Sequence, residues 1–307
     1  MIKSIMKLGL VRGLMVIVLA TSISVFGQSK PEKPIDSIAG QTVSVKLGEA
    51  SLVSKVWGKG ESLILLPGLG LDISWFEVMA PQLAMAGFQV VAVNPRGVAG
   101  STGSLEGMSL HDYAKDIALL IETLGVPRAH LLGWAGGNCL ARCLATDRPD
   151  LVQSITLLAA GGGGKAPPDK EAREILSRLV NDSKMSPQER LELRKRILFS
   201  PKSGAAEGFQ LSQSWPEAAK SQQLALQSVA LDTWWSGGNA PMLIIQGLDD
   251  RLAPPGNGRA LKESYSDRVR LIELEATGHA LLLEQPKTIA DAVVTFLREH
   301  KIVIRKS

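Results

Sequence analysis

The sequence predicts an α/β protein, with a mostly parallel eight-stranded sheet, helices on both faces and one helical insertion. Three observations carry that prediction. Short, nearly continuous apolar runs recur along the chain, each followed by a stretch with helical spacing, which is how strands buried on both faces read. Strand and helix signals alternate, and that order implies right-handed crossovers in a parallel sheet. One interval breaks the rhythm and is far longer than an ordinary connection.

The chain opens on an expected signal sequence over residues 1–27: Lys3, Lys7 and Arg12 precede an apolar run from Gly13 to Phe26, with small residues near Gly27. A membrane-spanning anchor needs about 20 apolar residues, and Arg12 shortens the run below that. Export to the periplasm or medium, with no stable anchor after cleavage, is the expectation. Lipid modification is not expected, because Cys139 is the first cysteine. Removing the signal takes three basic residues and no acidic one, so 34 basic residues fall to 31 against 30 acidic. A near-neutral mature chain indicates no basic partner surface, and no nucleic-acid motif is present.

A polar, proline-containing linker follows over residues 28–40. Alternating segments at 42–47 and 52–56, joined through Gly48 and Glu49, read as an antiparallel hairpin. Central strands are expected at 63–66, 89–93, 130–132, 154–159, 242–245 and 270–274. Helices are expected at 74–85, 110–124, 137–146, 257–264 and 287–300. Between the strands on either side of residues 164–239, about 75 residues intervene. Helical spacing at 170–180, 187–198 and 216–231 makes this interval a helical cap. The core is thereby divided into residues 41–163 and 240–307.

Within this framework, Leu131-Leu132-Gly133-Trp134-Ala135-Gly136-Gly137 places a strand, a glycine-flanked sharp turn and a helix in succession. Small flanking residues are needed where strand and helix backbones approach closely. Leu63-Ile64-Leu65-Leu66-Pro67-Gly68 precedes it, and Asn94-Pro95-Arg96-Gly97 follows the next strand. Beyond the cap come Gly247-Leu248-Asp249-Asp250 and then Thr277-Gly278-His279, ahead of Glu284-Gln285-Pro286. In order and context these segments resemble the α/β-hydrolase fold superfamily, in its capped, haloperoxidase- and esterase-like branch. The resemblance spans most of the chain after the linker. It departs from the family at one point: alanine occupies position 135, where the attacking serine belongs.

The resemblance implies His279 as general base and Asp250 as its orienting carboxylate, with Asp249 as a solvated turn neighbour. It implies an oxyanion hole from the backbone N–H groups of Leu69 and Gly136. Pro67 stands where most members have histidine, but the donor is Leu69. Trp134, Trp75 and Trp234 are the candidate pocket lining, with Trp215 and Trp235 also possible. His111, His130 and His300 read as terminal or surface residues. Cys139 and Cys143, four apart on one helix, read as small buried side chains without further ligands nearby, so no disulfide framework and no metal site is expected. No dinucleotide glycine loop follows the first parallel strand, and no cofactor is expected.

Alanine has no heteroatom, so no acyl-enzyme can form at position 135. Two readings follow. In the first, the His279–Asp250 dyad and the oxyanion hole act on a small apolar ester, lactone or related carbonyl substrate without a serine. In the second, the pocket is a non-catalytic small-molecule binder. Cys139 lies one helical turn beyond the elbow and is expected to point into helix–sheet packing. Ser101 and Ser104 have no positional argument as nucleophiles.

Overall fold

The computed structural model describes residues 39–161, 166–182, 184–210 and 213–302. The expected signal sequence and nearly all of the linker lie outside the described residues. Among the described residues no helix is long and apolar enough to cross a membrane.

Strands β1 (Gln41–Leu47) and β2 (Ala50–Trp57) form the opening hairpin, antiparallel in register from Gln41 opposite Val56 to Leu47 opposite Ala50. β3 (Glu61–Leu66), β4 (Phe88–Val93), β5 (Ala129–Trp134), β6 (Val152–Leu158), β7 (Met242–Gly247) and β8 (Val269–Leu274) follow. The eight strands lie in the order β1-β2-β4-β3-β5-β6-β7-β8. β2 pairs antiparallel with β4, and every pairing from β4 through β8 is parallel. All six residues of both β5 and β7 are buried, as strands covered on two faces must be.

Helices α1 (Ala80–Met85) and α9 (Pro286–Glu299) pack on one face, where Leu83, Val293 and Phe296 join Leu63, Leu65 and Val90. On the other face, α2 (Leu110–Thr123) and α3 (Gly136–Asp147) meet Ile64, Val91 and Leu131. α7 (Gly256–Ser264) joins that face through Leu261. α2 starts at a capping box, in which Ser109 and Asp112 satisfy each other's backbone N–H. Between β6 and β7 stand α4 (Lys170–Asn181), α5 (Pro187–Leu198) and α6 (Pro216–Gln227).

Several expectations need correction. The helix expected over 74–85 is broken into a 3₁₀ turn at Ile73–Phe76 and α1. Pro81 lacks an N–H and would clash with the carbonyl four residues back, so it is tolerated only in a first turn. Likewise α6 ends at Gln227 and a separate 3₁₀ turn, Leu231–Thr233, follows Ser228 and Ala230. His130 is not a surface residue: it is fully buried, with Nδ1 2.8 Å from Ser154 Oγ and Nε2 3.4 Å from Glu61. Cys143 is buried as expected but not isolated from possible ligands. His111 Nδ1 and Asp147 Oδ2 lie 3.4 and 3.5 Å from its Sγ, and 2.7 Å from each other, tying α2 to α3.

Candidate active site

The sharp turn between β5 and α3 centres on Ala135, whose φ of 51° and ψ of −117° lie outside the conformations an L-residue adopts freely. Three glycines make that turn possible. A Cβ on Gly133 would strike Gly137 O, one on Gly137 would strike Leu66 O, and one on Gly136 would strike the Leu69 side chain. Asn138 closes the turn from within the helix, its side-chain amide donating to the carbonyls of Ala135 and Ala159.

His279 and Asp250 come from loops after β8 and β7. His279 Nδ1 is 2.9 Å from Asp250 Oδ2 and 3.1 Å from Oδ1. Asp250 is 3% exposed, and its Oδ1 also accepts the backbone N–H of Leu252 (2.9 Å) and Ala253 (2.7 Å). Gln246 donates to Oδ2 at 3.3 Å. The carboxylate is therefore fixed before it meets the imidazole, and Nδ1, facing a carboxylate, is the protonated nitrogen. Nε2 is left with the lone pair a base needs.

The backbone N–H groups of Leu69 and Gly136 have no acceptor among the described residues. They adjoin one another: Leu69 N is 3.1 Å from the point where a Gly136 Cβ would lie. Leu69, Gly136, Ala135, Trp134 and His279 all line one cavity of about 1160 Å³ beneath α4, α5 and α6.

Trp134 and Trp75 line this cavity as expected, with ring centroids 4.5 Å apart. Trp134 also donates from Nε1 to His279 O at 3.0 Å, so the residue before the elbow's centre holds the histidine loop. Trp215 lines the cavity as well. Trp234 does not. It is buried on the opposite side of the sheet, where the Arg142 guanidinium lies over its ring at 4.8 Å and over Trp235 at 4.5 Å. Arg142 is wholly buried inside α3, and the two indoles cover a cation that has no carboxylate beside it among the described residues.

Asp249 is not a bare turn residue: it accepts from Ser200 Oγ at 2.6 Å and Lys202 Nζ at 3.4 Å, joining the β7 loop to the segment after α5. Cys139 borders the cavity, but burial pushes its thiol pKa up, which disfavours the thiolate a nucleophile requires. Ser101 is buried between Asn94 O and Val53 N as a structural tie, and Ser104 is exposed away from the cavity lining.

Sequence reasoning missed the residues that position the two site loops. Gly70 N–H donates to Gln222 Oε1 at 2.8 Å, and Gly70 O accepts from Trp215 N–H at 3.1 Å, strapping the loop after β3 to α6. Glu284, in the short helix α8 (Leu281–Glu284), accepts from Gly278 N at 2.7 Å and Ser200 N at 2.8 Å. Only Glu284-Gln285-Pro286 gave a sequence signal, and only as context.

Residues 61–286 match the family model described as alpha/beta hydrolase fold. A protein named as a carbamate hydrolase, RutD, from Variovorax paradoxus is 27% identical over 249 residues, covering 78% of this chain and 92% of its own. The crystal structure of a protein named as the non-heme bromoperoxidase BpoC, from Mycobacterium tuberculosis H37Rv, superposes with a TM-score of 0.70 at 24% identity, covering 82% of this chain and 97% of that one. A thermophilic esterase from Thermogutta terrifontis gives a TM-score of 0.66 at 22% identity, covering 85% and 100%.

Proposed function

From the premise that the chain belongs to the α/β-hydrolase fold family, we propose that it acts on a small ester, lactone or related carbonyl compound by activating water rather than by forming an acyl-enzyme. The observation that carries this reading is the company Ala135 keeps. His279, held by the buried Asp250, borders the same cavity as its methyl group, together with two backbone N–H groups that have no acceptor among the described residues.

In the proposed step, a substrate carbonyl lies at Ala135 with its oxygen towards the N–H groups of Leu69 and Gly136. His279 Nε2 takes a proton from water as the water oxygen bonds to the carbonyl carbon. The oxyanion is held by the two N–H groups, and Asp250 stabilises the imidazolium. Collapse breaks the bond to the leaving alkoxide, which takes the proton back from Nε2. Removing a serine does not remove the rest: oxyanion hole and binding alone retain about 10³–10⁴-fold over water.

The test is a screen of wild type, His279→Ala and Ala135→Ser against activated aryl esters and lactones. The proposal expects measurable wild-type turnover that falls about 10²–10⁴-fold in His279→Ala, and a gain of esterase activity in Ala135→Ser. Wild type and His279→Ala equally inert, with Ala135→Ser active, would leave a binding protein on an intact hydrolase scaffold. For export, mass spectrometry of the secreted or periplasmic protein is expected to find an N-terminus close to Gln28.

A further inference from the structure

The cap contributes more than apolar wall to the cavity. Arg190 and Arg194 lie four apart on α5, spaced to share one helix face, and both line the cavity with Lys220 of α6. Among the described residues Asp182 is the one carboxylate residue in that lining, and its Oδ1 accepts the Lys184 N–H at 3.0 Å.

The two arginines are used differently. Arg190 donates from Nη1 to Leu179 O at 2.5 Å and from Nη2 to Asp182 O at 3.1 Å, closing the carbonyl end of α4. Arg194 has no ion pair and no hydrogen bond among the described residues, although it is only half exposed to solvent. Burial is the first cause lowering its pKa, and Arg190, another cation, pushes in the same direction. A guanidinium drawn partly out of water without a counter-charge carries a desolvation cost. The fold places that cost on a cavity wall.

We propose that the cavity takes a carboxylate-bearing ester or lactone, whose anionic end is met by Arg194 while its carbonyl lies at Ala135. This deepens, and rests on, the reading of Ala135 and its neighbours as a carbonyl-binding site. A planar fork of donors matches a carboxylate in two parallel hydrogen bonds. Trp75, Leu179 and Ile197 give the wall apolar stretches beside the polar Ser214 and Gln223, which suits an aliphatic segment between the two ends.

Binding tests this without requiring turnover. Monomethyl adipate and dimethyl adipate are titrated calorimetrically into the full chain carrying His279→Ala, so that the base proposed for turnover is absent, and then into the same chain with Arg194→Met or Arg194→Lys added. The charged ester is expected to bind about tenfold more tightly than the neutral one, as a charge-assisted hydrogen bond would give. Arg194→Met is expected to erase that preference while leaving dimethyl adipate within about twofold, and Arg194→Lys to keep part of it. Equal binding of the two esters, no binding of the monoester, or a preference that survives Arg194→Met overturns the proposal. Loss of both ligands together in Arg194→Met assigns the side chain a packing role and overturns it too. An inert wild type in the ester screen, with the anion preference intact, would instead defeat the catalytic reading alone.

Discussion

At residue 135 a strand turns sharply into a helix around an alanine with φ 51° and ψ −117°. Holding an L-residue in a sparsely populated φ/ψ region costs about 1–3 kcal/mol, and here the strain is imposed by Gly133, Gly137 and Leu66 packing against each other. The turn brings Gly136 next to the Leu69 N–H, so the strained geometry is what the proposed oxyanion site would rest on. His130 shows a different use of burial. Desolvation is the first cause lowering its pKa from 6.5, opposed by Glu61. The folded state therefore holds this imidazole neutral, while the unfolded chain takes a proton as pH falls through its ordinary value. The resulting stability is complete above about pH 6.5 and is lost as pH falls towards the depressed value, at up to about 1.4 kcal/mol per pH unit. Melting temperatures followed from about pH 7.5 to 5.5 are expected to fall, and His130→Gln is expected to flatten part of that slope while lowering stability at the upper end.

Among the elements, the loop after β3 and α6 form one mechanical unit. Gly70 has φ 62°, and a Cβ there would lie 2.5 Å from Ala219 Cβ and 2.9 Å from Trp215 O. Gly70→Ala must therefore push α6 away or shift Leu69, and misplacing one oxyanion donor costs up to about 10²–10³ in turnover. In the Ala135→Ser background, Gly70→Ala is expected to lower the acquired esterase kcat at least about tenfold; unchanged kcat would show that the strap does not position Leu69. The strands and most helices were legible because apolar runs and helical spacing report burial directly. The break at Pro81 was legible in principle, since proline interrupts a helix whatever its apolar period. Trp234 was not: an indole's hydrophobicity does not say which face of the sheet it joins, and its place is set by Arg142, remote in sequence. The hydrogen-bonded pairing of His279 with Asp250 was readable from its motifs. Gln222 and Ser200 carry no local signature, because their partners are remote in sequence: Gly70 is 152 residues from Gln222, and Asp249 and Glu284 are 49 and 84 residues from Ser200.

For the domain from Gln41 onward, strand order decides where chemistry can occur. The loops after β3, β5, β7 and β8 leave the same edge of the parallel strands, bringing Leu69, Ala135, Asp250 and His279 into one region where open α/β sheets bind ligands. The helices α4, α5 and α6 then roof that edge. A cavity of about 1160 Å³ is slightly larger than the usual range of roughly 300–1,000 Å³ for small-molecule sites, and its aromatic pair Trp75–Trp134 sits beside the proposed reaction centre. Such a volume leaves room for an aliphatic chain well beyond an acetyl group. Each methylene moved from water into this wall contributes up to about 0.8 kcal/mol, or nearly fourfold in affinity. With Ala135→Ser as reporter, KM for p-nitrophenyl esters is expected to fall at least about tenfold from acetyl to octanoyl. A KM that is flat or rises beyond butanoyl would mean that α4, α5 and α6 close the cavity against long acyl groups. The roof would then act as a size filter, and the space beneath it would be reachable only by short substrates.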